Sequence, residues 1–150
     1  MRDELIAMED ARVIKDEIAV ILEENWRAVG HAYPDSKLRP DIDLYLTLAG
    51  HGVLKLFTVR VAKQIVGYAA VLLSRHPHRM DDLVATIDSI FVLPDFRGGG
   101  VAARLLQRIE NDLRALGVSL LAIGARDDRF ERWLRLAHYA RVETVWERRL

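Results

Sequence analysis

The chain has 150 residues, with 22 lysines and arginines balanced by 22 aspartates and glutamates, and it has no cysteine. The length suits one domain, residues 1–150, with a substantial core. A net charge of zero gives no field that would attract nucleic acid, and the lack of cysteine excludes disulfides, thiolate metal sites and a cysteine nucleophile. The N-terminus is charged and no apolar run is as long as a membrane span. We therefore expect a cytoplasmic protein with no nucleic-acid or membrane partner.

The first half predicts a short strand, two helices and a hairpin. Residues 5–8 predict the strand, and apolar residues between 10 and 30 recur every three or four positions, which is typical of an amphipathic helix. A polar loop precedes a second, shorter helix that ends at Gly50. The runs "VLKLFTVRV" and "IVGYAAVLLS" are β-branched and apolar, and the three residues between them predict an antiparallel hairpin.

The second half predicts a strand, a helix and a strand, then a short helix and a final strand. A polar loop, "RHPHRMDD", precedes the strand "LVATIDSIFVL", and a glycine turn leads into an amphipathic helix that ends at Gly117. The strand "VSLLAIG" follows, and this order predicts a crossover between parallel strands. A short helix around Trp133 and the alternating segment "RVETVWERRL" complete the chain.

The stretch "VLPDFRGGGVAARLLQ" carries the strongest functional signal. Three glycines between a strand and a helix N-terminus let an anion approach the backbone, and Arg97 adds a positive charge. A Walker loop is excluded because no Lys-Ser or Lys-Thr pair follows the glycines. A dinucleotide fingerprint would fit Gly98, Gly100 and Ala103, but the next strand does not end in the acidic residue that this fingerprint requires.

This stretch resembles the acetyl-CoA motif of the GCN5-related N-acetyltransferase (GNAT) family, with matches at Val92, Pro94, Arg97, Gly100 and Ala102. The resemblance implies an α/β GNAT fold. Its central mixed sheet would have six to seven strands, flanked by two N-terminal helices, a central CoA-binding helix and a short C-terminal helix. The segments "NWRAVGHAYPD", "RHPHRMDD" and "TID" also resemble members of the family encoded by bacteriophages.

The resemblance also implies how acetyl-CoA is bound. Backbone amides of the glycine turn would hold the pyrophosphate, and the end of the preceding strand would pair with the pantetheine amides. A splay between this strand and the one starting near Val118 would admit the pantetheine arm. Asp127 stands where relatives often have an asparagine that contacts pantetheine. The implied cofactor-binding residues are Phe91, Val92, Leu93, Arg97, Gly98, Gly99, Gly100, Val101, Ala102 and Asp127.

The expected reaction is direct attack, in a ternary complex, by a primary amine of a small molecule or of a protein lysine or N-terminus. Many relatives place an acidic base on the strand before the glycine turn. Alternation along that strand predicts that Thr86, Asp88, Ile90 and Val92 share one face, which makes Asp88 the candidate base. The alternative is that Asp88 forms a structural ion pair or stands at a strand edge. Thr86 stands where several relatives carry glutamate.

The tyrosine that usually protonates the leaving thiolate in relatives is absent. Leu134 stands at its position, His138 stands at a position that is usually glycine, and Tyr139 matches a core aromatic. This departure keeps open a second function, a catalytically weak CoA-binding module that acts by binding a protein partner.

Five residues are candidates for the wall of the acceptor site. His76 and His78 could suggest a metal, but with no third ligand nearby we expect none. The three tryptophans are expected to serve as core or homodimer contacts. The acceptor-site candidates are His31, Tyr33, His76, His78 and Thr86.

Overall fold

A computed structural model describes residues 3–29, 37–148 and 150. The described residues form five strands, four helices and a short 3₁₀ turn at Pro94–Phe96. In chain order, the strands and helices are β1 (Glu4–Glu9), α1 (Ala11–Val29), α2 (Ile42–Gly50), β2 (Leu54–Val61), β3 (Gln64–His76), β4 (Arg79–Val92), α3 (Val101–Ala115), β5 (Val118–Ile123) and α4 (Asp128–Leu136).

The strands form one mixed sheet in the order β1-β2-β3-β4-β5. Neighbours from β1 to β4 are antiparallel, whereas β4 and β5 are parallel and α3 connects them. The predicted hairpin and the predicted parallel pair are therefore confirmed. None of the helices in residues 3–29 and 37–148 has the length and apolar character needed to cross a membrane.

The predicted polar loop "RHPHRMDD" is wrong. Strand β3 continues to His76 and β4 begins at Arg79, so only two residues remain for the turn. Residues 79–81 of β4 are exposed. The hydrophobic pattern could not reveal this part of the strand, because a strand in water needs no apolar face.

The predicted count of six to seven strands is also wrong, since the described residues contain five. The alternating C-terminal segment is not a strand over 141–148. Val142, Val145 and Trp146 are exposed, Trp146 at 90%. Alternation shows that a segment could pair, but it does not supply the neighbouring strand that pairing requires.

Helices cover both faces of the sheet and bury a separate core on each. Helix α3 packs Leu105, Ile109 and Leu113 against one face. Helix α1 packs Ile14 and Ile18 against the other face, where α2 also lies. The glycine turn follows the end of β4 and leads into α3, on the face of the sheet that α3 covers. The face that α1 covers carries a cavity.

Candidate active site

The glycine turn has the backbone conformation that its composition predicts. Gly98, Gly99 and Gly100 have φ angles of 104°, 53° and 78°, values that residues other than glycine rarely adopt. Gly100 is the N-cap of α3, with no side chain capping the helix. The turn therefore presents bare backbone at the positive end of a helix dipole.

Two amides in the first turn of α3 are free to bind an anion. Val101 donates its N–H to the Gly98 carbonyl at 3.3 Å. Among the described residues, no acceptor is found for the N–H groups of Ala102 and Ala103. Unpaired N–H groups at a helix start are a site for phosphate, so this turn fits the pyrophosphate of a cofactor such as CoA.

Arg97 is folded back onto β4. Its Nε donates to the Val92 carbonyl at 2.8 Å, and its guanidinium carbon lies 5.4 Å from the centre of the Phe91 ring. The Arg97 side chain therefore covers the junction between β4 and the glycine turn, on the edge of β4 that faces away from β3.

Sequence reasoning missed Arg104, which ties the turn to the first strand. Its guanidinium donates to the Gly99 carbonyl and to both carboxylate oxygens of Glu4, the latter at 2.9 and 2.8 Å. Glu4 and Arg104 are 100 positions apart in the chain. No local pattern could have paired them.

The edge of β4 next to β5 is open beyond Ile87. The parallel pairing ends at Ile87 with Ile123, although β4 continues to Val92. On the opposite edge, Leu93 donates its N–H to the Val66 carbonyl at 2.9 Å. Because bonding direction alternates along an antiparallel strand, the backbone groups of Val92 face the open edge. That edge has room for an extended arm with amide groups.

A β-bulge at Asp88 changes the expected alternation. Ser89 pairs with Ala70 and Ile87 pairs with Val71, so Asp88 has no partner on β3. Asp88 and Ser89 both line the cavity on the α1 face. The prediction that Ile90 and Val92 share the face of Asp88 is wrong: both belong to the α3 core, because the extra residue reverses the alternation.

The cavity lies between α1, α2 and the sheet and has a volume of about 450 Å³. That volume is typical of a site for a small molecule. Its walls combine apolar side chains with a few polar ones. The polar and charged lining residues are Lys15, Asn25, Lys37, Arg39, Tyr45, Tyr68, Asp88, Ser89 and Arg126.

Three of these side chains form a closed hydrogen-bond triangle. Asn25 donates from Nδ2 to the Tyr68 hydroxyl at 2.6 Å and to Ser89 Oγ at 3.0 Å, and the two hydroxyls lie 2.8 Å apart. One hydroxyl must donate to the other, which leaves one O–H able to donate elsewhere. Burial raises the pKa of Tyr68, so its hydroxyl stays protonated at neutral pH.

Tyr45 of α2 adds a further hydroxyl to the cavity. Burial, followed by the negative charge of Asp88, raises the pKa of Tyr45. The carboxylate and the phenol both line the cavity. A carboxylate acceptor and neutral hydroxyl donors thus line the same cavity, an arrangement that can move protons in both directions.

The other predicted site residues lie apart from this cavity. His76 and His78 stand at the tip of the β3–β4 hairpin with ring centres 6.0 Å apart, and Thr86 precedes the bulge on β4. Asp127 caps α4, because its carboxylate accepts the Phe130 N–H at 2.7 Å. His31 and Tyr33 lie outside the described residues. Among described residues, no group of three or more His, Asp or Glu side chains could hold a metal ion.

The residues at the end of α4 do not supply the missing acid. Leu134 is buried at 7% exposure. The Tyr139 hydroxyl donates to Glu110 at 2.8 Å, and burial together with Glu110 raises the pKa of this tyrosine. His138 has a φ of +66°, the left-handed conformation that glycine usually supplies after a helix.

The fold and the glycine turn define the chain as an α/β protein built to bind a cofactor with a pyrophosphate. The family model described as "Acetyltransferase (GNAT) family" matches residues 16–137. The chain belongs to the GNAT family. Over 110 residues it is 30% identical to the IAA acetyltransferase of Azospirillum brasilense, covering 73% of this chain and 67% of that protein.

Solved structures share the fold. A ribosomal-protein-alanine N-acetyltransferase from Brucella melitensis has a TM-score of 0.74 at 22% identity, covering 98% of this chain and 99% of that one. A protein from Clostridium acetobutylicum, described as a predicted acetyltransferase and solved with acetyl-CoA, has a TM-score of 0.72 at 15% identity, covering 97% and 96%. The chain is an acetyl-CoA-dependent acetyltransferase.

Proposed function

We propose that the protein transfers acetyl from acetyl-CoA to a primary amine bound in the cavity, by direct attack in a ternary complex. One observation carries the proposal: the bulge places Asp88 and Ser89 in the cavity wall at the point where the edge of β4 opens. An acyl group brought along that edge would meet an amine held in the cavity.

Asp88 and the Tyr68–Ser89 pair have different roles in the proton transfers of this reaction. The acceptor ammonium gives a proton to the Asp88 carboxylate, and the neutral nitrogen then attacks the acetyl carbon while the bond from that carbon to sulfur breaks. The departing thiolate takes a proton from the spare hydroxyl of the Tyr68–Ser89 pair. The acetylated nitrogen, which still carries two protons, returns one of them to that hydroxyl oxygen, and Asp88 releases its proton to solvent. This pair replaces the acid that Leu134 cannot supply.

Cofactor binding uses the turn and the open edge. The pyrophosphate binds along the segment from Arg97 to Ala102. The free N–H of Ala102 and the positive φ angles of the glycines support this, whereas the N–H groups of Arg97 and Val101 donate to the Pro94 and Gly98 carbonyls before the cofactor binds. Within the strand end from Phe91 to Leu93, the backbone groups of Val92 face the open edge and pair with pantetheine. Asp127, the N-cap of α4, contacts the pantetheine arm. When CoA binds, Arg97 gives up its hydrogen bond to Val92.

The acceptor is a small molecule or the lysine or N-terminus of a protein. The relative from Azospirillum brasilense is named for IAA and the solved structure from Brucella melitensis for an alanine of a ribosomal protein, so both classes of acceptor remain candidates. His76, His78 and Thr86 would act only on an acceptor that extends beyond the cavity. Cytoplasmic location and bacteriophage origin remain predictions of the sequence.

Initial-rate kinetics with acetyl-CoA and a panel of amines test this function. A ternary complex gives intersecting double-reciprocal lines. Parallel lines would contradict direct attack. CoA binding without turnover of any amine would favour the alternative, a CoA-binding module that recruits a protein partner, for which the apolar Leu134 is the supporting observation.

A homodimer is proposed from the exposed C-terminal segment. Val142, Val145 and Trp146 lie unburied, and β5 is an edge strand with Leu120 45% exposed. Pairing of this segment with the β5 edge of a second copy would bury both. Light scattering of the native chain and of Trp146→Ser tests it, since a dimer requires the native chain to have twice the monomer mass.

A further inference from the structure

The charges that line the cavity are unbalanced. Four cationic side chains stand in its wall, and Asp88 is the one carboxylate among the described lining residues. A site for a polycationic amine would need the opposite balance, because like charges in a confined site repel. The cationic lining residues are Lys15, Lys37, Arg39 and Arg126.

Asp88 and two of the cations, Lys15 and Arg39, lie on different elements of the cavity wall. Asp88 is on the sheet, beside Ser89, which binds Asn25. Lys15 precedes Asn25 by ten positions on α1, which corresponds to roughly 15 Å along the helix axis. Arg39 lies in the exposed segment before α2. An acceptor with its amine at Asp88 therefore reaches Lys15 with its far end.

The intervening wall is apolar. Ile18 and Leu22 of α1 and Leu54 and Leu56 of β2 line the cavity and belong to one apolar cluster. Trp26 lines it as well. Such a wall favours an aliphatic or aromatic body over a polyhydroxylated one, because burying unpaired hydroxyl groups costs free energy.

We propose that the acceptor is a small amphiphilic amine: a primary amine, an apolar body and an anionic group, carboxylate or phosphate, at the far end from the amine. This inference rests on the proposed function and specifies its substrate class. Lys15 and Arg39 select the acceptor by binding its anionic group, and the apolar wall binds its body. Asp88 receives the amine.

Matched acceptors test the anionic requirement. The amines para-aminomethylbenzoate and para-methylbenzylamine share their amine and ring and differ in the carboxylate, whereas spermidine carries only positive charges. We expect kcat/KM for the carboxylate compound to exceed that for the methyl compound at least about tenfold, the effect of one charge-assisted hydrogen bond. Spermidine is expected to be the poorest acceptor. Equal values, or a preference for spermidine, would overturn the inference.

A double variant, Lys15→Met with Arg39→Met, identifies the residues responsible. We expect it to lose the preference, because kcat/KM for the carboxylate compound falls to the value for para-methylbenzylamine in the same variant. Lys55→Met is the control, because Lys55 lies on β2 and does not line the cavity. A double variant that keeps the full preference would contradict the assignment.

The inference and the proposed function can fail separately. Turnover of amines without preference for the carboxylate compound defeats only the inference. If no amine is acetylated, the transfer reaction is refuted, and thermal shifts of the CoA-bound protein with the two benzyl compounds then test the charge selection. A larger shift with the carboxylate compound that is lost in the double variant supports this selection. Equal shifts defeat both.

Discussion

Gly100→Ala and Gly117→Ala form a matched pair, because the two glycines stand at opposite ends of α3 with φ angles of 78° and 82°. A left-handed conformation costs a non-glycine residue about 1–2 kcal/mol, and the smaller entropy of an unfolded alanine offsets part of this. Each variant should therefore lose about 1 kcal/mol of stability, or roughly 2–4 °C in Tm for a chain of this size.

Only Gly100→Ala should weaken CoA binding. A Cβ at Gly100 would lie 3.3 Å from Nη1 of Arg104, the side chain that donates to the Gly99 carbonyl, whereas a Cβ at Gly117 meets nothing within 4 Å. We expect the Kd for CoA, measured by calorimetry on folded variants, to rise at least about tenfold for Gly100→Ala and to stay unchanged for Gly117→Ala. Equal affinities in the two variants would refute a phosphate-binding role for the turn.

Three further changes test other parts of the account. Asp88→Asn should lower kcat about 10²-fold and remove the acidic limb of the kcat/KM profile while CoA affinity stays the same; an unaltered profile would exclude Asp88 as the base. His138→Gly should raise the free energy of unfolding by about 1 kcal/mol, because it relieves a left-handed conformation; a loss in denaturant titration would contradict this. The hydrogen bond from Arg60 lowers the pKa of Glu9 below its ordinary value of 4.5, so this stabilisation is complete above that pH and is lost as pH falls through the lowered value. Arg60→Met should destabilise the fold by about 1–3 kcal/mol at pH 7 and reduce the acid dependence of stability; an acid dependence as steep as in the native chain would contradict the pairing.

The glycine turn and the helix after it were predictable because they depend on local rules. Positive φ at Gly98 requires glycine whatever the rest of the fold does, and the spacing of Leu105, Ile109 and Leu113 fixes the buried face of α3. Residue type and spacing within this one segment are therefore enough to indicate a phosphate-binding turn.

The acceptor side was not predictable in the same way. The bulge at Asp88 exists only in the pairing with β3, and no residue type near it signals an extra position. The Glu4–Arg104 pair joins distant parts of the chain, and the cations of the cavity come from three separate segments. Alternation also failed at the C-terminus, because a pattern does not reveal whether a partner strand exists.

A crystal structure of the protein with CoA tests the central claim most directly. The account predicts the pyrophosphate on the N–H groups at the start of α3, the pantetheine along the open edge of β4, and the sulfur end at the Asp88–Ser89 bulge, facing the cavity. A sulfur end on the α3 side of the sheet, or pantetheine away from β4, would contradict the account.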